Sequence, residues 1–295
     1  MRVFLTGANG WIGSAIAREL IDAGHSVVGL TRSKEDGKAL ACSGVTPLLG
    51  SLTDLDVLRK SVSEADGVIH TAFGLDLSNY ANLAEEDKRA IETFGEVFAG
   101  SDRPIVVTSG LGQLPAGETF TEDARPPIIP DYPRASEQTA FALAERGVRA
   151  SVVRPARSVH GVGERHGFVP QLAEIARKQG VSAYVADGQN PWPAVHRLDA
   201  ARVFRLALER GAGNEAYHPV AEGVPFRLVA EAIGRQVGVP TKSITAEGAE
   251  AHFGSLAIWV TGGGSVSSEQ TRAVLKWEPR EIGLITDIDR PEYYG

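Results

Sequence analysis

Cysteine is nearly absent from this sequence of 295 residues: Cys42 stands alone, so the chain can form no internal disulfide bond. Long apolar runs are missing as well, and none approaches the ~20 residues that a membrane-spanning helix needs. The first ten residues, MRVFLTGANG, hold an apolar stretch that is too short for a signal peptide. A protein with these absences is typical of a reducing compartment, and we expect it in the cytoplasm.

An excess of basic residues is also missing. Lysine and arginine together number 30 against 37 aspartates and glutamates, which gives a net charge of −7. Surfaces that bind nucleic acid need clustered Lys and Arg, and so do segments that bind anionic membranes. We therefore expect no nucleic-acid or membrane partner. The predicted partner is a small-molecule substrate, bound by a monomer or a homodimer.

Groups of metal ligands are missing too. His160 and His166 lack the spacing of a metal site and have no set of Cys or carboxylate residues around them. The sequence predicts no metal centre.

Through the first half of the chain, short apolar runs alternate with segments of helical period. RVFLTG is a candidate buried strand, and the segment after it carries Ile12, Ile16 and Leu20, each four residues from the next. Strands and helices that alternate in this way form a parallel sheet covered by helices on both faces. The predicted fold class is therefore α/β, with a doubly wound parallel sheet of the Rossmann type.

The alternation weakens after Pro155, where glycine-rich loops and short helices take over. We expect residues 1–154 to form the dinucleotide-binding core, with 194–211 packing back on it. Residues 155–193 and 212–295 are expected to form a smaller substrate-binding lobe over the ends of the strands.

The strongest motif, TGANGWIG, lies between the first strand and the first helix. Gly7 permits a tight turn, Gly10 lets the backbone approach a pyrophosphate, and Gly13 lets the helix pack closely on the strand. The free amide groups at the start of the helix attract phosphate. The predicted cofactor contacts in this motif are Gly7, Asn9, Gly10, Trp11 and Ile12.

The end of the second strand indicates which dinucleotide binds. A unit that binds NAD carries an acid there for the ribose hydroxyls, but this strand ends in Thr31, Arg32 and Ser33. Arg32 can pair with a 2′-phosphate through its planar fork, and the two hydroxyl residues can add donors. We therefore predict NADP(H) in preference to NAD(H). The alternative is that Arg32 is only a solvated residue at a strand end.

Further motifs follow the glycine turn in order along nearly the whole chain. They are GSLTD at residues 50–54, HTA at 70–72, Arg154-Pro155, VHRLDAA at 195–201 and LKWEP at 275–279. In order and spacing they resemble the short-chain dehydrogenase/reductase superfamily, in its extended or atypical branch, near the epimerase/dehydratase and 3β-hydroxysteroid dehydrogenase groups. The resemblance implies further cofactor contacts at Ser51 (where the family has Asp beside the adenine), Leu52, Ala72, Phe73, Thr108 and Pro155.

The resemblance also implies a catalytic Ser or Thr, a Tyr and a Lys. In that arrangement the Tyr protonates the substrate oxygen and the Lys lowers the pKa of the Tyr. None of the seven lysines follows a Tyr by four residues, so the usual YxxxK pair is absent. In the ungapped register Glu137 occupies the Lys position. Tyr132 and Ser109 each lie one residue before the positions of the catalytic Tyr and Ser.

Ser109 and Tyr132 are nevertheless the best catalytic candidates. Ser109 follows the strand IVVT, and ligands bind at strand ends in doubly wound sheets; the alternative is a Ser that satisfies turn backbone. Tyr132 can donate a proton as a neutral phenol, with Arg134 as a substitute cation. The alternative is a solvated loop Tyr beside a solvated Arg.

Polar residues also gather in the loops of the predicted lobe: Arg157, His160, Arg165, His166 and His196. An Arg can bind a carboxylate or phosphate through two parallel hydrogen bonds, and a His can serve as an acid. Each such residue alone is more often structural.

Two classes of function follow. The first is an NADP(H)-dependent oxidoreductase that acts on a carbonyl or alcohol of a small organic molecule. The second is a non-catalytic NADP(H)-binding protein that senses redox state. A sugar-nucleotide epimerase or dehydratase is disfavoured, because those reactions begin with hydride abstraction aided by the same Tyr–Lys pair.

Overall fold

The structure, a computed structural model, describes residues 1–74, 79–112, 114, 117–125 and 134–294. Its centre is a sheet of seven strands. In spatial order they are β11 (Ala216–Tyr217), β7 (Ala150–Val153), β5 (Ile105–Thr108), β4 (Gly67–His70), β1 (Arg2–Thr6), β2 (Ser26–Thr31) and β3 (Thr46–Leu49). All neighbouring pairs run parallel. The strand order reverses between β1 and β4, and such a switch point is where sheets of this kind bind ligands.

Helices cover both faces of this sheet. They are α1 (Trp11–Asp22), α2 (Lys34–Cys42), α3 (Leu55–Ser63), α4 (Tyr80–Phe98), α5 (Ser136–Glu145) and α7 (Arg197–Arg210). Successive strand residues enter opposite cores: Leu5 packs into the cluster that α1 and α7 close, and Phe4 into the cluster that α3, α4 and α5 close. A sheet buried on both faces explains the continuous apolar strands of the sequence. The predicted fold class is confirmed.

The remaining elements lie mostly in the second half of the chain. They are β6 (Thr119–Phe120), β8 (Ser158–His160), β9 (Ser182–Val185), β10 (Pro191–His196), β12 (Glu222–Pro225), β13 (Thr241–Ile244), β14 (Ser265–Val266), α6 (Phe168–Gln179), α8 (Phe226–Val237), α9 (Ala249–Phe253), α10 (Ala257–Val260), α11 (Glu269–Leu275) and α12 (Leu284–Ile288). Short 3-10 helices span Gly254–Leu256 and Pro291–Tyr294. Trp192 and Phe226 lie in a third apolar cluster, whose buried members run from Val169 to Tyr293. This cluster is separate from the two that cover the sheet.

Several parts of residues 212–295 pack with the core: β14 pairs with β6, and Leu275 and Trp277 belong to the cluster that contains Leu5. Strand β11 lies within residues 212–295, yet it pairs with β7 as the outer strand of the core sheet. Two residues are too few to show a strand pattern in the sequence, and the pairing joins residues far apart in the chain. Among the described helices, none combines the length and the apolar character required to cross a membrane.

Candidate nucleotide-binding and active site

The glycine turn between β1 and α1 has the geometry that its sequence predicts. Gly7 adopts φ +72°, in the left-handed region, and its carbonyl accepts a hydrogen bond from the amide of Gly10 at 2.8 Å. A Cβ at Gly7 would lie 2.5 Å from Oγ1 of Thr71, and one at Gly13 would lie 2.0 Å from the carbonyl oxygen of Gly7. Only glycine fits these two positions. The turn therefore presents bare backbone at the start of α1, where the helix dipole favours an anionic ligand.

Thr6, the last residue of β1, ties this turn to the end of β4. The Thr6 hydroxyl lies 2.7 Å from Nδ1 of His70 and accepts a hydrogen bond from the amide of Ala72 at 3.2 Å. The hydroxyl of Thr71 donates to the Thr6 carbonyl at 2.8 Å. Ala72 and Phe73, two of the expected cofactor contacts, therefore follow a segment that is held against the glycine turn.

Trp11, the first residue of α1, contacts the lobe. Its indole Nε1 donates to the carbonyl of Val159 at 2.6 Å, and the guanidinium carbon of Arg197 lies 4.0 Å from the centroid of its ring. Beside it, Asn9 is exposed in the turn and Ile12 is half-buried. The start of α1 is thus fixed between the core and the lobe.

The carboxyl end of β2 carries the exposed cation Arg32, which makes no hydrogen bond or ion pair within the described ranges. Ser33, by contrast, caps α2: its Oγ accepts from the amide of Asp36 at 3.0 Å and donates to the Asp36 carboxylate at 2.8 Å. Thr31 is buried, and its hydroxyl donates to the Ser33 carbonyl at 3.3 Å. Lys34 is a second exposed cation here, which sequence reasoning missed although it lies two residues from Arg32.

Ser51 closes the turn after β3. Its amide and its hydroxyl both donate to the carboxylate of Asp54, at 2.7 and 2.8 Å. The amide of Gly50 donates to the carbonyl of Thr31 at 2.9 Å, which holds this turn against the end of β2, and Leu52 is half-buried within it. The Ser51 hydroxyl therefore organises its own turn.

Two hydroxyl residues end β5. Thr108 has a buried Oγ1 with no hydrogen-bond partner in the described part of the chain, and its carbonyl accepts from Nη2 of Arg134 at 3.1 Å. The amide of Ser109 donates to the carbonyl of Val153 at 2.9 Å, while its side chain is half-buried and makes no hydrogen bond to a described residue. The backbone of Ser109 continues the β5–β7 ladder, and its hydroxyl is left available at the carboxyl edge.

A buried chain of hydrogen bonds runs from Arg134 back to the glycine turn. Nε of Arg134 donates to Oγ of Ser136 at 3.0 Å, and the Ser136 hydroxyl donates to Asp87 at 2.6 Å. Nε2 of His70 lies 2.9 Å from the other carboxylate oxygen of Asp87, and Nδ1 of the same ring meets the hydroxyl of Thr6. Ser136, Asp87 and His70 are each 1% exposed, so the chain of bonds is shielded from water.

The Asp87 carboxyl is ionised within this network. Burial opposes ionisation, but the hydrogen bonds from His70 and Ser136 and the charge of Arg134 outweigh it, and the pKa of Asp87 lies below its usual value. Sequence reasoning missed this residue. Its signal was available: Asp87 lies four residues before Ile91 on the apolar stripe of α4, where a charged residue needs a partner.

Glu137, expected from the sequence at the place of the family's Lys, points into the core. Nε of Arg154 donates to one of its carboxylate oxygens at 3.0 Å and a second guanidinium nitrogen donates to the other, with Arg154 0% and Glu137 5% exposed. Arg154 also donates to the carbonyls of Glu122 and Ala124. Pro155 is buried directly after it. The acid at position 137 thus balances a buried Arg.

Tyr132 belongs to residues 126–133, which lie outside the described residues. Its role as a proton donor stays a prediction.

The polar residues expected in the lobe do not form one cluster. His160 is buried and its Nδ1 lies 2.8 Å from Asp287, while its ring contacts that of His196 with centroids 5.4 Å apart. Arg165 and His166 are exposed. Over the described ranges, no group of three or more His, Cys, Asp or Glu residues is arranged to hold a metal ion.

A parallel sheet with a glycine turn at its switch point, opening onto the start of a helix, defines a dinucleotide-binding protein of the Rossmann class. The chain belongs to the NAD(P)H-binding family, whose family model matches residues 7–188. Binding of NAD(P) and likeness to the short-chain dehydrogenases/reductases and epimerases are thereby confirmed.

Relatives extend over most or all of the chain. It is 45% identical over 296 residues to an uncharacterized protein of Schizosaccharomyces pombe, with 100% of both chains covered. It is 28% identical over 258 residues to the decarboxylating sterol-4-alpha-carboxylate 3-dehydrogenase of Dictyostelium discoideum, covering 82% of this chain and 78% of the relative. Among solved structures, MoeE5 in complex with UDP-glucose and NAD has the same fold, with a TM-score of 0.74, 21% identity, and 100% and 98% of the two chains covered.

Proposed function

We propose that the protein is an NADP(H)-dependent oxidoreductase that acts on a carbonyl or alcohol group of a small organic molecule. The observation that carries the proposal is a convergence: the glycine turn, Ser109 and Arg134 meet the carboxyl ends of the neighbouring strands β1, β4 and β5. Ligands of such sheets bind at that edge. Relatives named as a dehydrogenase and as reductases support the same class of reaction.

In this proposal the glycine turn holds the pyrophosphate, and Arg32 with Lys34 holds the 2′-phosphate of the cofactor. Both cations are exposed and unpaired within the described residues, and residues 31–33 include no acid; the carboxylate of Asp36 accepts the hydrogen bond of the Ser33 hydroxyl. The remaining proposed contacts are Asn9, Trp11, Ile12, Thr31, Ser33, Ser51, Leu52, Ala72, Phe73, Thr108 and Pro155. Because the hydroxyls of Ser33 and Ser51 and the amide of Ser51 are engaged in their own turns, Ser33 would contribute its backbone amide and Ser51 a van der Waals contact.

The proposed chemistry uses three side chains. The bound nicotinamide supplies or accepts the hydride. Ser109 donates a hydrogen bond to the substrate oxygen, and Tyr132 gives that oxygen a proton as the carbon–oxygen double bond becomes a single bond. Arg134 stabilises the negative charge that develops on the substrate oxygen and on the phenol oxygen of Tyr132. It lies 4.0 Å from the ring centroid of Phe73, and its bonds to Thr108 and Ser136 hold it in place.

The lobe, as residues 155–193 and 212–295 without the parts that pack with the core, would cover this edge and shape the substrate site. The hydrogen bond from Trp11 to Val159 supports this, because it joins the lobe to the start of α1.

A redox sensor that binds NADP(H) without turnover is the second candidate. It is favoured by the ion pair between Glu137 and Arg154, which occupies the place of the family's Lys.

Purified protein mixed with NADPH and a panel of aldehydes and ketones separates the two functions. We expect saturable NADPH binding and oxidation of NADPH with some members of the panel. Tight binding without consumption of NADPH by any carbonyl compound would favour the sensor and overturn the oxidoreductase.

The variant Arg134→Met tests the proposed cation. We expect kcat to fall by about 100- to 1,000-fold, as when one stabilising donor is removed from a reacting oxyanion, with little change in the Kd for NADPH. Arg134→Lys should recover part of the rate because it keeps the charge. Arg18→Met is the matched control, since Arg18 is exposed and pairs with Asp22 on α1. An unchanged kcat in Arg134→Met would remove Arg134 from the reaction.

The variant Arg32→Ala tests the cofactor preference. Loss of a charge-assisted contact to the 2′-phosphate should weaken NADPH binding by about 10- to 100-fold and leave NADH binding unchanged. Titrating both nucleotides by fluorescence measures the ratio of the two Kd values, and Lys34→Ala should shift it in the same direction. If the ratio of the two Kd values were the same in the wild type and in Arg32→Ala, the 2′-phosphate would be held by other residues.

A further inference from the structure

Arg157 lies where the chain leaves the core sheet for the lobe. Its guanidinium carbon is 4.9 Å from the ring centroid of Trp192 and 5.6 Å from that of Trp259, so both indoles approach the cation. Nη1 donates to the carbonyl of Trp259 at 3.0 Å. The side chain is half-buried, and Trp259 is itself half-buried on the short helix α10.

This guanidinium has no counter-charge. Within the described residues it forms no ion pair, and its Nη2 is buried without a hydrogen-bond partner. Burial lowers the pKa of Arg157 to about 10, which still leaves it protonated at neutral pH. A buried charge is normally paired, and a buried donor is normally bonded. Arg154, only three residues earlier, follows that rule by pairing with Glu137.

The backbone on either side of Arg157 is held at the edge where the nucleotide is proposed to bind. Val153, four residues before it, pairs with Thr108 at the carboxyl edge of the sheet. Val159, two residues after it, accepts the hydrogen bond from Trp11 at the start of α1. The backbone of Arg157 therefore lies between the strand end that Ser109 follows and the residue that contacts the start of α1, while its guanidinium points to Trp192 and Trp259.

We propose that Arg157 binds an anionic group of the substrate, a carboxylate or a phosphate. Nη2 supplies the unused donor, and the half-buried indole of Trp259 supplies an apolar wall for the adjoining carbon skeleton. The oxyanion completes the hydrogen bonding that the protein alone leaves unfinished. The identification of this ligand as the substrate rests on the proposed oxidoreductase function. The existence of the anion site does not depend on that function.

Binding of simple probes tests the site without turnover. With NADP⁺ present, benzoate, phenyl phosphate and the neutral benzamide are titrated into the full chain by calorimetry. We expect one or both anions to bind more tightly than benzamide, and their order decides between carboxylate and phosphate. Arg157→Met should weaken anion binding by about 10- to 100-fold and leave benzamide unchanged. Arg157→Lys should retain part of the affinity.

Arg227→Met is the matched control. Arg227 also lies over an aromatic ring, that of Tyr184, but it is exposed and paired with Glu231, so its loss should leave anion binding unchanged. Should Arg157→Met fail to fold, the wild-type comparison of benzoate with benzamide decides alone. The proposed site is overturned if the wild type binds the anions no more tightly than benzamide. It is also overturned if Arg157→Met binds the anions with the affinity of the wild type.

Turnover separates this inference from the proposed function. Phenylglyoxylate and its neutral methyl ester are offered with NADPH, and we expect the acid to have the lower KM only when Arg157 is present. Anion binding with no NADPH oxidation by any carbonyl compound supports the site and overturns the oxidoreductase. Equal use of acid and ester by both wild type and Arg157→Met supports the oxidoreductase and overturns the site.

Discussion

Gly13→Ala is expected to abolish tight nucleotide binding, with the Kd for NADPH rising at least about 100-fold. The new Cβ would lie 2.0 Å from the carbonyl oxygen of Gly7 and 2.8 Å from its carbonyl carbon. Both are backbone atoms of the turn, so they cannot move aside as a flexible side chain would. Relief requires α1 to shift from β1 or the turn to open, at a cost of about 1–3 kcal/mol in unfolding free energy. Fluorescence titration and a thermal melt measure the two effects.

Gly223→Ala is the control for Gly13→Ala. Gly223 lies in β12, and a Cβ there would be 3.6 Å from the nearest atom, Cβ of Pro191, which is an ordinary contact. The Gly223→Ala variant should bind NADPH with the same Kd as the wild type. If Gly13→Ala bound NADPH with the wild-type Kd, the pyrophosphate would not be held by this turn.

Glu137→Lys, which installs the family's residue, is expected to destabilise the protein and not to raise its activity. Arg154 is 0% exposed, and the change would replace its counter-charge with a second cation. Breaking a buried ion pair on one side costs about 3–5 kcal/mol. Urea denaturation should show this loss as a lower midpoint with an unchanged slope.

Two companions make the Glu137 test specific. Glu137→Gln keeps hydrogen-bonding atoms near Arg154 and should lose less stability than Glu137→Lys. The double variant Glu137→Leu with Arg154→Met removes both charges and should recover part of the loss, because no charge is left unpaired. A stable Glu137→Lys variant with a higher kcat would contradict this account and show that the position can still serve catalysis.

The parts of the site that were predictable from sequence are those built by neighbours in the chain. The glycine turn is a run of eight residues whose spacing is dictated by a strand, a turn and a helix, so its geometry can be read in advance. The alternation of strands and helices is equally local, and it predicted the parallel sheet. Arg32 was singled out because it occupies a fixed place after β2, and its role stays a prediction.

The parts that could not be predicted join residues far apart. The bond from Ser136 to Asp87 spans 49 residues, and that from Arg157 to Trp259 spans 102. No periodicity specifies such pairs, because they depend on how two elements pack. Glu137 shows the limit most clearly: in sequence it is only a missing Lys, and its partner Arg154 becomes visible once α5 lies beside β7.

The contact between Trp11 and Val159 has a practical consequence. The indole at the head of α1 emits in the band where reduced nicotinamide absorbs, and it stands at the turn proposed to hold the cofactor. Of the four tryptophans, Trp192 and Trp277 are buried and Trp259 is half-buried on α10, whereas Trp11 alone heads α1. Excitation of the tryptophans should therefore produce fluorescence from bound NADPH by energy transfer. The variant Trp11→Phe should lower the intensity of that NADPH fluorescence. The protein thus carries its own optical reporter of cofactor occupancy, with no dye required.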